Sequence, residues 1–361
     1  MNSKTYFGFL AIALLFGGVA QASDSTPSVL FVRGAERSGG FLEADNDEQR
    51  TEHLADIFNT NTNGGNHGWG ELRQTLEGVG FNVSQMIEPL ETGAPSTGQT
   101  QGTGVEFQSF DLFDYDVIVF GSNNAFYSSA TVDAVEDYIR AGGAAIFISD
   151  ANFGSDWADA SNSDQHFLDR FGLIMHQDQG TYAISSDEFL VPGHPVFAGI
   201  NSFDGEGVTP IEVGQLTSGV AVEILALAEG QTRLNEAPFG NNNQGPSVPS
   251  GPNDAALLCA TADFGRVIGH FDRNTFFNLN GAGTNINRLD NQQFAINLFS
   301  YAASPVFQAG DTNGDGSINL LDVGPFIDAI SSSSYFEAAD VNCDRLVNLL
   351  DVGPFIDLLS N

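Results

Sequence analysis

Residues 116–150 read DVIVFGSNNAFYSSATVDAVEDYIRAGGAAIFISD, and their reading decides the fold. DVIVFGSNN (116–124) is a continuous apolar run of the kind that a strand covered on both faces requires. TVDAVEDYIRAGG then sets Val132, Val135 and Ile139 on one helical face and ends in Gly142-Gly143, a stop signal. AAIFISD (144–150) is a second fully apolar strand. Upstream, PSVLFVRG (27–34) predicts a strand, GELRQTLEGVGF a helix with Leu72, Leu76 and Val79 at helical spacing, and NVSQMIE a further strand. Alternation of strand and helix with apolar strands predicts an α/β fold built on a parallel sheet.

The later part is less regular. EILALAE and AALLCATADFGRVIGHFD predict more strands, the last two joined by a turn at Asp263 to Gly265. NEAPFGNNNQGPSVPSGPND (235–254) is too rich in Gly, Asn and Pro to pack, and reads as a loop. DNQQFAINLFSYA closes the domain as a helix, with Asp290 and Gln293 placed as a capping pair. The expected architecture is a flavodoxin-like, mostly parallel sheet with helices on both faces over 27–303. A linker over 304–310 and a small all-α module over 311–361 follow.

Composition narrows the function classes. The 361 residues carry a net charge of −34, and Lys4 is the only lysine. The arginines are scattered, so no basic stripe exists to neutralise phosphates, and neither nucleic acid nor an anionic membrane surface is expected as a partner. Such acidity keeps a chain soluble and attracts cations. Residues 1–22 combine Lys4, the apolar run FGFLAIALLFGGVA and a small-residue site at Ala20-Gln21-Ala22, the pattern of an export signal cut after Ala22. The expected mature protein is secreted or attached to the cell surface, with no membrane insertion once the signal is removed. Cys259 lies in an apolar run and Cys343 far from it, which is no disulfide framework.

The tail repeats itself. DTNGDGSINLLD (311–322) and DVNCDRLVNLLD (340–351) are each followed by VGPFID. Counting from Asp311, oxygen-bearing side chains fall at loop positions 1 (Asp311), 3 (Asn313), 5 (Asp315), 9 (Asn319) and 12 (Asp322), with the Ser317 carbonyl at position 7. Gly316 at position 6 supplies the turn. The second repeat offers Asp340, Asn342, Asp344, the Leu346 carbonyl, Asn348 and Asp351. This is the spacing of a twelve-residue calcium loop, in which a hard cation takes oxygen ligands. Two Ca2+ sites are expected, the second weaker because Arg345 stands where the turn favours Gly. Pro325 and Pro354 are expected to kink or restart the helices that follow.

Two loops, each with a helix after it and no complete helix before it, resemble a type I dockerin module over residues 310–361. Asp at position 12 agrees with that family. The resemblance implies calcium in both loops and docking into a cohesin-like module of an extracellular assembly, most often one that degrades polysaccharide. The family's recognition positions fall on Leu320-Leu321 and Leu349-Leu350, apolar where many dockerins carry Ser-Thr. One Leu of each pair is expected to belong to the module's own core.

In open parallel sheets, ligands sit beyond the carboxyl ends of the strands. Here those ends read RGAERSGG (33–40), GSNNAF (121–126), SDANFG (149–154) and GHFDRNTFF (269–277), which would gather Arg33, Asn123, Asp150, His270 and Asp272 around one crevice, with His166 and His194 in connecting segments. VLFVRG, DVIVFGSN, AVEDYIRAGGAAIFISD, GHPVFAGI and GRVIGHFDRNTFFN resemble the class I glutamine amidotransferase-like superfamily in its trehalose-utilisation-like branch. That family's active members place a Cys after the strand matching AAIFISD. This chain has Ser149-Asp150-Ala151, so thiolate chemistry is not expected.

Asp150 with His270 or His194 could do acid–base or nucleophilic work, and Asp272 could supply the second carboxylate that glycoside hydrolysis needs. The alternative is that Asp150 caps a turn and the histidines are ordinary polar residues, leaving a non-catalytic binding or structural subunit. Convergence of Asp150, Asp272 and a histidine in an open crevice favours an enzyme acting on carbohydrate. A crevice filled by Phe and Leu favours the binding subunit.

Overall fold

The structure is a computed structural model, and it describes residues 26–33, 55–60, 62, 68–87, 100–102, 111–122, 125–148, 159–175, 181–206, 210–228, 232–234, 247–249, 251–278, 284–314, 316–332, 337–342 and 346–360. The export signal, Asn123, Asp150, Asp315, Cys343, Asp344 and Arg345 lie outside these residues, as does the Arg33 side chain.

A nine-stranded sheet forms the centre. Five of its strands are parallel neighbours: β1 (Ser28–Arg33), β2 (Asn82–Ile87), β3 (Val117–Ser122), β4 (Ala144–Ile148) and, far along the chain, Gly265–His270. Their order across the sheet is second, first, third, fourth, fifth. That is the flavodoxin-like doubly wound order, with its switch point between β1 and β3. Beyond the fifth strand the sheet turns antiparallel, through short strands β5 (Leu173–Met175) and β8 (Ile211–Val213) and long strands β9 (Val220–Leu227) and β10 (Asp254–Ala262). The fifth parallel strand, β11, is reached from β10 by a hairpin. The expected α/β class therefore holds, with the parallel half at the core of a mixed sheet. A separate hairpin, β6 (Thr181–Ser185) with β7 (Ser202–Glu206), stands outside it.

Helices cover both faces. Alternate residues of β1 divide between them, as a period of two demands. Val29 and Phe31 join α1 (Gly70–Gly78) and α4 (Asn291–Ala302), where Leu72, Leu76, Leu298 and Phe299 are buried. Leu30 and Val32 face the other core, which α2 (Ser129–Arg140) and α3 (Asp159–Leu168) close with Val135, Ile139, Phe167 and Leu168. The helix α2 starts where Ser128 accepts from the Thr131 amide at 3.3 Å, an N-cap worth about 1 kcal/mol. Asp290 and Gln293 do not form the expected capping pair. The Asp290 carboxylate instead accepts from the amides of Asn201 (2.7 Å) and Ser202 (3.2 Å), tying β7 to α4, and the Gln293 side chain turns to Asn297.

The tail carries α5 (Val323–Ser332) and α6 (Val352–Leu359). Pro325 and Pro354 are the third residue of each. An amide in the first turn has no intrahelical acceptor, so proline is accommodated there and neither helix is kinked or restarted. Phe326 and Phe355 stack at 3.9 Å and 15°, and with Ala329 and Ala339 they form a small separate core.

Candidate functional site

Two regions can carry function. The first is the carboxyl edge of the parallel strands. At the switch point the fully buried Trp69 stands against Gly121 of β3, so closely that an added Cβ would lie 2.1 Å from the indole. Its Nε1 donates to the Arg273 carbonyl at 3.3 Å. Phe31 and Phe276 meet the indole edge-on, at 5.9 and 6.0 Å between centroids.

His270, at the end of β11, is fully buried among Phe271, Phe276 and Phe294, whose centroids lie 4.8–5.3 Å away. Its Nε2 is 3.0 Å from the Thr275 hydroxyl, which itself donates to the Asp204 carbonyl at 2.7 Å. With the hydroxyl hydrogen committed there, the imidazole Nε2 must be the donor to Thr275. Burial pushes the His270 pKa down to about 3, so the ring stays neutral. Asp272 is fully buried as well. It caps the turn Arg273–Phe276 by accepting from the Asn274 amide at 3.1 Å, and packs against Gly205, where a Cβ would lie 2.5 Å from its Oδ2.

His194 is elsewhere. Its Nδ1 accepts from the Val196 amide at 3.2 Å, capping the turn Pro195–Phe197, and its ring meets Tyr301 edge-on at 4.4 Å. Burial, chiefly, lowers its pKa. The rings of Phe197 and Phe203 stand between it and His270. His270 thus sits in an aromatic core, Asp272 is buried two residues on against Gly205, and His194 does not join them.

The same edge holds polar residues that sequence reading missed. Asp204 of β7 is fully buried, with Oδ1 accepting from Asn291 at 2.8 Å and Oδ2 paired with the Arg288 Nε at 2.6 Å. Burial raises its pKa, and Asn291 and Arg288 oppose the rise. Asn278 accepts from the Glu71 amide at the start of α1 and donates to the Asn59 carbonyl. Partners 87 and 207 residues apart leave no periodic trace that could have announced them.

The second region is the tail. In the first loop the buried Asp322 accepts from the amides of Asn313 (3.0 Å) and Asn319 (2.7 Å), joining positions 3, 9 and 12. Asp311 Oδ2 accepts from the Gly316 amide at 2.8 Å, and Gly314 and Gly316 take φ of +70° and +83°. The second loop repeats the pattern, with Asp351 accepting from Asn342 (3.1 Å) and Asn348 (2.8 Å). The Asn319 and Asn348 side chains reach the carbonyls of Ser317 and Leu346, at 3.2 and 3.5 Å.

Asp311, Asp322, Asp340 and Asp351 are all buried. A carboxylate oxygen that accepts one amide keeps a lone pair for an ion. Carboxylate, amide and carbonyl oxygens, with no nitrogen or sulfur donor, suit a hard cation such as calcium. Among the described residues no group of three His, Cys, Asp or Glu side chains is gathered for a metal; Asp315 and Asp344, at position 5 of each loop, lie outside them.

Leu320, Leu321, Leu349 and Leu350 are 79%, 68%, 77% and 68% exposed. The expectation that one of each pair belongs to the core is therefore corrected. The pairs occupy the turn before each helix, while the core is filled from the helices by Phe326 and Phe355. Ile327 and Ile356 are also exposed. The two repeats thus present the same apolar residues to solvent.

Comparison with the curated proteins finds no match. Among solved structures, the chain is similar to the mmIFT52 N-terminal domain, with 11% identity and a TM-score of 0.43 over 76% of this chain and 97% of that one. A ThuA-like protein from Bacteroides uniformis gives 15% identity and a TM-score of 0.38 over 78% and 93%. The exo-β-1,4-mannosidase Op5Man5 from an Opitutaceae bacterium gives 11% and 0.29 over 69% and 32%. None of these carries a functional argument. The tail is different, because residues 309–356 match the family model described as the dockerin type I domain. Such domains bind Ca2+ and dock into cohesin modules, typically outside the cell. The paired loops, their buried carboxylates and this match identify the C-terminal module of the chain as a type I dockerin domain.

Proposed function

We propose that this protein is exported through the signal at 1–22 and carried by its calcium-loaded tail into a cohesin-bearing assembly that handles polysaccharide. The observation that carries this reading is the pair of equivalent, exposed Leu320-Leu321 and Leu349-Leu350 steps, each beside a loop built of oxygen donors. Calcium fills both loops, held by Asp311, Asn313, Asp315, Ser317, Asn319 and Asp322 in the first and by Asp340, Asn342, Asp344, Leu346, Asn348 and Asp351 in the second. The test is calorimetric titration of the full chain with a type I cohesin module, in calcium and in chelator. Binding in calcium alone, lowered at least tenfold when all four leucines become alanine, is expected. Calcium-independent binding, or binding indifferent to the four substitutions, overturns it.

For the large domain, the reading favoured is the non-catalytic one, a carbohydrate-binding or structural scaffold. The burial of both His270 and Asp272, the former among aromatic rings, supports it, because substrate cannot reach a proton donor sealed from solvent. Incubation with insoluble polysaccharides should release no reducing ends. Release that disappears in His270→Gln, with the fold intact by circular dichroism, restores the enzyme reading.

A further inference from the structure

The first calcium loop does not stand free of the large domain. The hairpin between β10 and β11 turns at Asp263, where φ is +50°. Arg140 at the end of α2 holds this turn through a 2.8 Å ion pair to Asp263, and its carbonyl accepts from the Phe264 amide at 3.2 Å. The Phe264 ring meets Phe307 of the connecting segment edge-on, at 5.6 Å and 71°. Phe307 in turn lies against Gly314, position 4 of the first loop: a Cβ built there would be 3.6 Å from the Phe307 ring and 4.0 Å from Phe264.

The segment between is held at both ends. Arg266 of β11 donates to the carbonyl of Ser304 at 2.7 Å and to those of Tyr301 and Ala302 at the end of α4. Gly310 donates to the Ala338 carbonyl at 2.7 Å. The route from β11 to the loop is short, packed and clamped, which is how two sites become energetically coupled.

We propose that the β10–β11 turn is a docking surface for the first calcium loop, so that Phe264 of the large domain supports cation binding at Asp311–Asp322 through Phe307 and Gly314. This rests on the calcium-loop reading above. The large domain braces the loop in the closed form that the ion needs. By reciprocity, the ion tightens the seat of the module on the domain by the same factor. The docking module is thereby a fixed extension of the domain when loaded.

The test titrates CaCl2 into the full chain carrying Asp351→Ala, which disables the second loop, with and without Phe264→Ala. Edge-to-face aromatic pairs contribute enough that losing one should weaken the remaining site roughly three- to tenfold. Phe264→Leu, which keeps most of the contact, should fall between. A second readout is chymotryptic cleavage after Phe307, followed by mass spectrometry. It should be slow in calcium and fast in chelator for the parent, and fast in both for Phe264→Ala. Equal affinity in the two chains, with Phe307 cleaved equally, overturns the coupling while leaving calcium binding intact. The unsubstituted chain is titrated alongside, and absence of calcium binding there would instead remove the calcium reading on which the coupling stands.

Discussion

Phe355→Ala tests whether the tail's folding and its ion binding are one event. Phe355 is 3% exposed and stacks on Phe326 at 3.9 Å, in a core whose other fully packed members are Ala329 and Ala339. Truncating a buried phenylalanine costs about 3–5 kcal/mol, the lost transfer energy plus the cavity left behind. The module matched over residues 309–356 is too small for such a core to hold it folded alone, so the ions, with the contact at the β10–β11 turn, contribute the remainder. The lost packing energy should therefore appear largely as a lowered overall affinity for the two ions. At 1.4 kcal/mol per tenfold, that is on the order of 100- to 3,000-fold in the product of the two binding constants, or about 10- to 50-fold per ion. The assay is calcium titration of the chelator-treated full chain by calorimetry, with far-UV circular dichroism at each addition. Phe355→Leu, which keeps an apolar side chain in the core, should lose far less. Affinity of Phe355→Ala within twofold of the parent would refute the reasoning, because the loops would then be closing on the ion without the core.

Two further outcomes concern the large domain. His270 has its folded pKa depressed to about 3 against an ordinary value of 6.5, so the unfolded chain binds more protons between these limits. Its contribution is fully present above pH 6.5 and is lost as pH falls toward 3, with a slope of up to about 1.4 kcal/mol per pH unit. His270→Gln should remove that component, so the melting-temperature difference between parent and variant should change as pH falls below 6.5 and be constant above it. Arg288→Ala leaves the buried Asp204 carboxylate with Asn291 as its remaining side-chain partner. Discounted for the half-exposed arginine, the cost at pH 7 should be roughly 1–3 kcal/mol in urea denaturation. The gap should narrow in acid as Asp204 takes up a proton, and an unchanged midpoint at pH 7 would mean the pair contributes nothing.

The pieces legible in the sequence are those set by near neighbours. VIVF and AAIFI announce buried strands because four or five consecutive apolar residues need cover on both faces, and the helix between them shows its face every three or four residues. The calcium loops are legible for the same reason. An ion a few ångströms across collects its ligands from twelve consecutive residues, so their spacing is written in the chain. The short antiparallel strands β5 and β8 and the hairpin β6–β7 were less legible, since strands of three to five residues carry little pattern and their partners are distant in the chain.

Sequence by itself thus determined the α/β alternation of the large domain and the oxygen-rich loops of the dockerin tail. Tertiary structure alone decided which side chains converge and which meet water. It buried His270 among Phe271, Phe276 and Phe294 and Asp272 against Gly205, and it joined Asp204 to Asn291 and Arg288. It also left both leucines of each pair outside, where the apolar pattern alone pointed inward. Periodicity records only that a residue is apolar and in what local conformation. Whether that residue is covered depends on elements that arrive from elsewhere in the chain.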